Sequence, residues 1–135
     1  MRKVMMLFFM LLLAVNNLPA GDAAIDGKKL DLAKKGLMQT LKSDNFGARY
    51  SALHVLLKLK SDYPELNLSE FNPILVSMVK NDRASVIRVN ANMAYIYINS
   101  DELSQRVKVS EREDAVAFFN SLYGELNQNA LAFAD

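Results

Sequence analysis

Residues 82–98 read DRASVIRVNANMAYIYI, and the spacing of their apolar side chains decides the fold. Ile87, Ala91, Ala94, Tyr95 and Ile98 recur at i, i+4, i+7, i+8 and i+11. This period places them on one face of a helix and predicts burial along that stripe. The same pattern is written earlier in the chain. A shift of 38 residues lays Leu37 on Leu75, Leu41 on Val79, Lys42 on Lys80 and Asp44 on Asp82. After one inserted residue, Arg49 falls on Arg88 and Ala52 on Ala91. One helical hairpin written twice is therefore expected, with residues 82–98 as the second helix of the second copy.

The flanking segments fit that plan. Leu30, Ala33, Leu37, Met38 and Leu41 share a helical face behind Asp26, which can cap the first helix by accepting hydrogen bonds from its free N–H groups. Ser43, Asp44 and Asn45 interrupt the pattern. A second helix over 46–60 should bury Ala48, Ala52, Val55, Leu56 and Leu59. Connections this short make consecutive helices antiparallel neighbours. Residues 61–68 form a loop around Pro64. The third helix starts at Ser69 or Asn72 with Pro73 in its first turn, and its stripe is Phe71, Ile74, Leu75, Met78 and Val79. Beyond a polar stretch with one helical turn near 101–103, Ser110 and Glu113 have capping-box spacing. They predict a fifth helix over 111–127, with Ala115, Phe119, Leu122 and Leu126 in one row and Phe118 and Tyr123 widening it. The expected class is all-α: two stacked hairpins closed by a C-terminal helix, over residues 28–129, with a short tail at 130–135.

The amino terminus reads differently. Arg2 and Lys3 precede an unbroken apolar run at 4–15, and Leu18-Pro19-Ala20 ends on a small residue. This is the layout of a secretory signal peptide, expected over 1–20 with cleavage after Ala20, or at Ala23 or Ala24, and followed by a small-residue leader at 21–27. An uncleaved anchor is the alternative, but a membrane span needs about 20 apolar residues and this run is shorter. The predicted location is therefore periplasmic or secreted. Removing Arg2 and Lys3 leaves 14 basic against 15 acidic residues, a formal charge of −1. Such a balance offers no broad basic surface and argues against nucleic acid as a partner. The sequence contains no cysteine, which excludes thiol catalysis, cysteine-ligated zinc, c-type haem attachment and a lipid-anchoring cysteine. The domain must then be held by its core alone.

At Asp82, Ile87, Arg88, Ala91 and Ala94 the chain resembles the HEAT-repeat family, and is similar to its short exported bacterial members. The second helix of each HEAT hairpin carries Asp, four residues, an aliphatic residue, Arg, then Ala at plus three and plus six. The first copy is looser: Asp44 to Arg49 is one residue short, and Val55 stands where the second Ala would be. The interval from Arg49 to Arg88 is 39 residues, close to the period of about 40–47 of such repeats. The resemblance implies a protein-interaction scaffold or accessory protein whose partner lies along the second helices. On that basis the candidate partner face is Arg49, Tyr50, His54, Asn92 and Asn99. The two arginines are expected to pair with Asp44, Asp82 or a helix carboxyl end, as structural rather than ligand-binding groups.

Residue types for catalysis are sparse. His54 is the only histidine, and neither a G-x-S-x-G turn nor an HExxH motif is present. The acidic pairs Asp44 with Asn45, Asp62 with Glu65, and Asp101 with Glu102 lack the ligand density of a calcium loop. No catalytic residue, metal site or cofactor is expected. A protein-interaction module is the leading expectation, and a periplasmic inhibitor or immunity-like protein that blocks one exported enzyme is the alternative. A third reading, an apolar-ligand carrier with a gap among Phe71, Met78, Phe118 and Phe119, competes with ordinary core packing of the same residues.

Overall fold

The computed structural model describes residues 26–110 and 113–132. The expected signal peptide, most of the leader and the end of the tail lie outside the described residues. Among the described residues six α-helices follow in order: α1 (Gly27–Leu41), α2 (Phe46–Asp62), α3 (Asn72–Asn81), α4 (Ser85–Ile98), α5 (Asp101–Arg106) and α6 (Ala115–Ala132). A single 3₁₀ turn, Ser69–Phe71, leads into α3, and the described residues contain no strand. The class is all-α, as the periodicity predicts.

Local chemistry sets most boundaries. The Asp26 carboxylate accepts from the Lys28 N–H at 3.1 Å and starts α1. The Asn45 side chain accepts from the Ala48 N–H at 2.9 Å and starts α2. Pro73 sits in the first turn of α3, where its missing N–H costs nothing. The last helix departs from expectation. It begins at Ala115, not 111, because the Asp114 side chain accepts from the Ala117 N–H at 2.8 Å, while the Ser110 carbonyl accepts from the Glu113 N–H ahead of it. It also runs on to Ala132, past the expected end at 127.

α1 pairs with α2 and α3 with α4, each across a short turn, and the two hairpins meet chiefly where α2 lies against α4. Both second helices also carry α5 and α6. α2 is the more enclosed of the two. Leu53 and Leu57 are fully buried in addition to Ala52, Val55, Leu56 and Leu59, whereas Ala48, expected inside, is only half-buried. A single-stripe reading fits a helix with one covered face; α2 is covered on more than one. On α4, Ile87, Ala91, Ala94 and Ile98 are inside as predicted. Tyr95 is not: it is exposed, and Tyr97 takes the interior place. The Tyr97 hydroxyl donates to the Val107 carbonyl at 2.6 Å, so of the two tyrosines the one buried is the one whose polar end finds an acceptor. Burial pushes the Tyr97 phenol above its ordinary pKa, which keeps it a donor.

The two hairpins repeat in detail. The Arg49 guanidinium donates to the Ser43 carbonyl at 3.0 Å, and Arg88 donates to the Asp82 carbonyl at 2.7 Å, each six residues back. The register that aligns them places Ser43, not Asp44, opposite Asp82. Arg49 also crosses between hairpins, with Nη2 donating to Asp82 Oδ1 at 3.1 Å and Nε 2.8 Å from Oδ2. Both side chains are more than nine-tenths buried. Of the partners expected for Arg49, Asp82 is the one it takes, and the pair lies inside the protein.

A second seam holds the C-terminal third. Lys60, 3% exposed, sends its ammonium to the carbonyls of Pro64 and Leu66 and to Asp101. The Val109 N–H donates to Ser61 Oγ at 2.9 Å, and Lys108 to the Ser61 carbonyl at 2.8 Å. Together with the Tyr97 bond, these contacts pin residues 107–109 to the ends of α2 and α4. From there α6 lies back across both helices, with Phe118 and Phe119 buried and Phe118 edge-on to Tyr97. Phe71, Met78, Phe118 and Phe119 all belong to the packed core, in keeping with the ordinary-packing reading of these residues rather than the carrier one.

Ala91 has no exposed surface on the crowded face of α4. Replacing it with Leu should overpack that face and cost about 1–3 kcal/mol. Urea unfolding of Ala91→Leu would show this as a lowered midpoint, and an unchanged midpoint would contradict the placement.

Candidate functional site

Between α2, α4 and α6 the surface is cut by a groove of about 650 Å³. Phe46 and Tyr50 line it from α2; Val86, Val89 and Met93 from α4; Val116, Phe119 and Tyr123 from α6. The polar residues of its lining are Ser51, Asn90 and Asn120, and none of the lining side chains carries a charge. Phe46, Val86, Val89, Val116 and Tyr123 leave between 45% and 57% of their surface exposed. α6 creates the groove by bearing on α2 and α4 through Phe118, Phe119 and Leu122 while leaving its Val116–Tyr123 edge standing clear.

The rings along α2 fix the floor. Tyr50 stands edge-on to Phe119 with centroids 5.6 Å apart and leans on Phe46 at 5.9 Å. One turn on, the half-buried His54 ring lies 5.8 Å from Phe118 and 6.4 Å from Phe119, beneath α6 rather than in the groove. Its Nε2 is buried without a hydrogen-bond partner. Burial lowers the His54 pKa below its ordinary 6.5; the Lys58 charge pushes the same way and Asp114 opposes it. The imidazole is therefore held neutral.

The five residues expected on the partner face do not come together. Arg49 is buried in its ion pair, Tyr50 borders the groove, and His54 packs under α6. Asn92 is exposed outside the groove lining. Asn99 exchanges amide hydrogen bonds with Asn72 at 2.8 and 3.2 Å and donates to the Tyr95 carbonyl, fastening the end of α4 to the start of α3. What the polar reading missed was a second apolar stripe on α4. Val86, Val89 and Met93 follow one another at helical spacing beside the Ile87–Ala91–Ala94 stripe, and that doubling is visible in the sequence. Asn90 was also missed. It is 4% exposed, and its Nδ2 has no hydrogen-bond partner.

Of the acidic residues weighed as cation ligands, Asp62 pairs with Lys58, Asp101 with Lys60, and Glu102 with Arg106. Among the described residues no group of three His, Asp or Glu side chains is arranged to share a metal ion, and no helix is long and apolar enough to cross a membrane. A smaller hollow of about 310 Å³ lies at the turns of the two hairpins beside Arg49 and Asp82, whose charges already satisfy each other. No protein-family model, curated protein or solved structure matches the chain.

His54 yields a pH prediction. Because its native pKa is lowered, the unfolded chain binds the proton more readily, so stability is full above pH 6.5 and falls as the pH drops through that value toward the native pKa. The melting temperature should be lower at pH 5.5 than at pH 7.5, and His54→Leu should shrink the difference. An equal pH dependence in the variant would refute the assignment.

Proposed function

We propose that this chain is a non-enzymatic, HEAT-like interaction module that acts after export to the periplasm or outside the cell. It holds a protein partner along the second helices of its two hairpins. The observation that carries this reading is the uncharged groove, where apolar side chains from three helices stay about half exposed along one continuous strip. Scattered exposed apolar residues need no explanation, but a contiguous strip rimmed by polar surface marks an interaction site. The matching bonds of Arg49 and Arg88 support the HEAT-like part of the reading, since both second helices are anchored by one device. The export part rests on the charged and apolar order of residues 2–20.

The proposed partner face thus moves from polar positions to an apolar one, and Tyr50 is the residue common to both. A photo-crosslinking amino acid placed at Val89 or Val116 and activated in cells should give a discrete protein adduct. The same group at Val76, exposed on α3 and absent from the groove lining, should not. Adducts of equal yield from all three positions, or none from the groove positions, would contradict the proposal.

A further inference from the structure

α1 turns a regular basic face away from the core. Leu37 and Leu41 bury one side of it, and α2 is the helix it packs on. On the opposite side Lys28, Leu32, Lys35, Gln39 and Lys42 recur at i, i+4, i+7, i+11 and i+14, and all five are exposed. The row is about 21 Å long, with the exposed Lys29 at its flank. Lys34, nearer the core, pairs with Glu70 at 2.7 Å, but the ammonium groups of Lys28, Lys29, Lys35 and Lys42 meet no carboxylate among the described residues. Charge is divided accordingly. Residues 27–42 hold five lysines against one acidic residue, Asp31, whereas residues 43–135 hold 9 basic against 12 acidic residues. In the middle of the row Leu32 is 63% exposed, the highest value for any large apolar side chain among the described residues.

We infer that α1 rests on the anionic surface of a lipid bilayer, with Lys28, Lys29, Lys35 and Lys42 against the headgroup phosphates and Leu32 dipped between them. Lysines beside anionic headgroups attract them additively, and the attraction fades as salt rises. The acidic remainder of the chain is repelled by the same surface, so the protein is oriented with α1 down. Two further observations select a bilayer over another polyanion. An apolar side chain at the centre of a basic row gains nothing from a phosphate backbone, but it is received by the boundary between headgroups and acyl chains. The second is reach: residues 16–26 join the apolar run at 4–15 to α1 and span at most about 40 Å fully extended, so on the export reading α1 is held beside a bilayer until cleavage. The groove is lined by α2, α4 and α6 and uses no residue of α1, which leaves it open to a protein partner while α1 is docked.

The test is co-sedimentation with extruded vesicles of the exported form, residues 21–135, which contains every described residue. At about 0.1 M NaCl it should pellet with phosphatidylcholine vesicles containing one third phosphatidylglycerol and stay in solution with phosphatidylcholine alone; about 0.5 M NaCl should release it. The combined change Lys28→Gln, Lys35→Gln and Lys42→Gln should weaken partitioning about 100-fold, roughly fivefold for each lysine, while the same three changes to Arg should preserve it. Leu32→Ser should weaken it about fivefold. All these side chains are exposed, so none of the variants should lose its helical circular dichroism or melt appreciably earlier. Four results would each overturn the inference: no pelleting with the anionic vesicles, equal pelleting with phosphatidylcholine alone, pelleting that survives the triple Gln change, or pelleting indifferent to Leu32→Ser with equally tight binding of duplex DNA. The groove proposal, which involves no residue of α1, is independent of them.

Discussion

The arrangement depends on one buried charge pair. Arg49 of the first hairpin meets Asp82 of the second at two points, and both are shielded from water. Neither charge is tolerable there alone: separating such a pair leaves an uncompensated ion inside the protein, whereas in water the same contact is worth little. Asp82 is committed further, because its side chain accepts from the Ala84 N–H at 3.0 Å at the start of α4, and its carbonyl receives Arg88. One residue therefore shapes the turn that leads into a helix, anchors that helix's arginine and locks the hairpin to its neighbour. In the first copy the corresponding place is held by Ser43, whose carbonyl suffices because no hairpin precedes it among the described residues.

From that lock the surface follows. With α2 and α4 fixed side by side, the chain must return after α5, and the contacts of Lys60, Ser61 and Tyr97 determine where. They hold 107–109 against the helix ends and launch α6 across both second helices. Phe118 and Leu122 sink fully between them, but α6 is too narrow to cover the whole apolar surface that two second helices present. The uncovered remainder is the groove. The apolar strip is thus a consequence of closing a two-hairpin stack with a single helix.

Much of this was legible in the sequence, and the failures have physical causes. Helix positions, the caps at Asp26 and Asn45 and the first-turn Pro73 follow from local chemistry, and the duplication follows from repeated side-chain types. The exchange of Tyr95 for Tyr97 did not, because periodicity ranks positions by angle and cannot know that a carbonyl at Val107 awaits a hydroxyl. The enclosure of Leu53 and Leu57 was hidden for a similar reason: a stripe identifies one buried face, and α2 has neighbours on several sides. Arg49 was placed on the partner face by the family resemblance; its depth is set by Asp82, 33 residues further on. The partner face was sought among polar residues. The signal lay instead in a second apolar stripe, Val86, Val89 and Met93, beside the one that explains the core.

The most direct test of the account is a double-mutant cycle on the interhairpin pair, read by urea unfolding of Arg49→Met, Asp82→Leu and the combined variant. If the buried pair joins the hairpins, each single change costs about 3 kcal/mol or more, and the double change costs less than their sum by more than about 1 kcal/mol. Single changes that are nearly silent, or a double change that equals their sum, would show that the two hairpins are held together by something else.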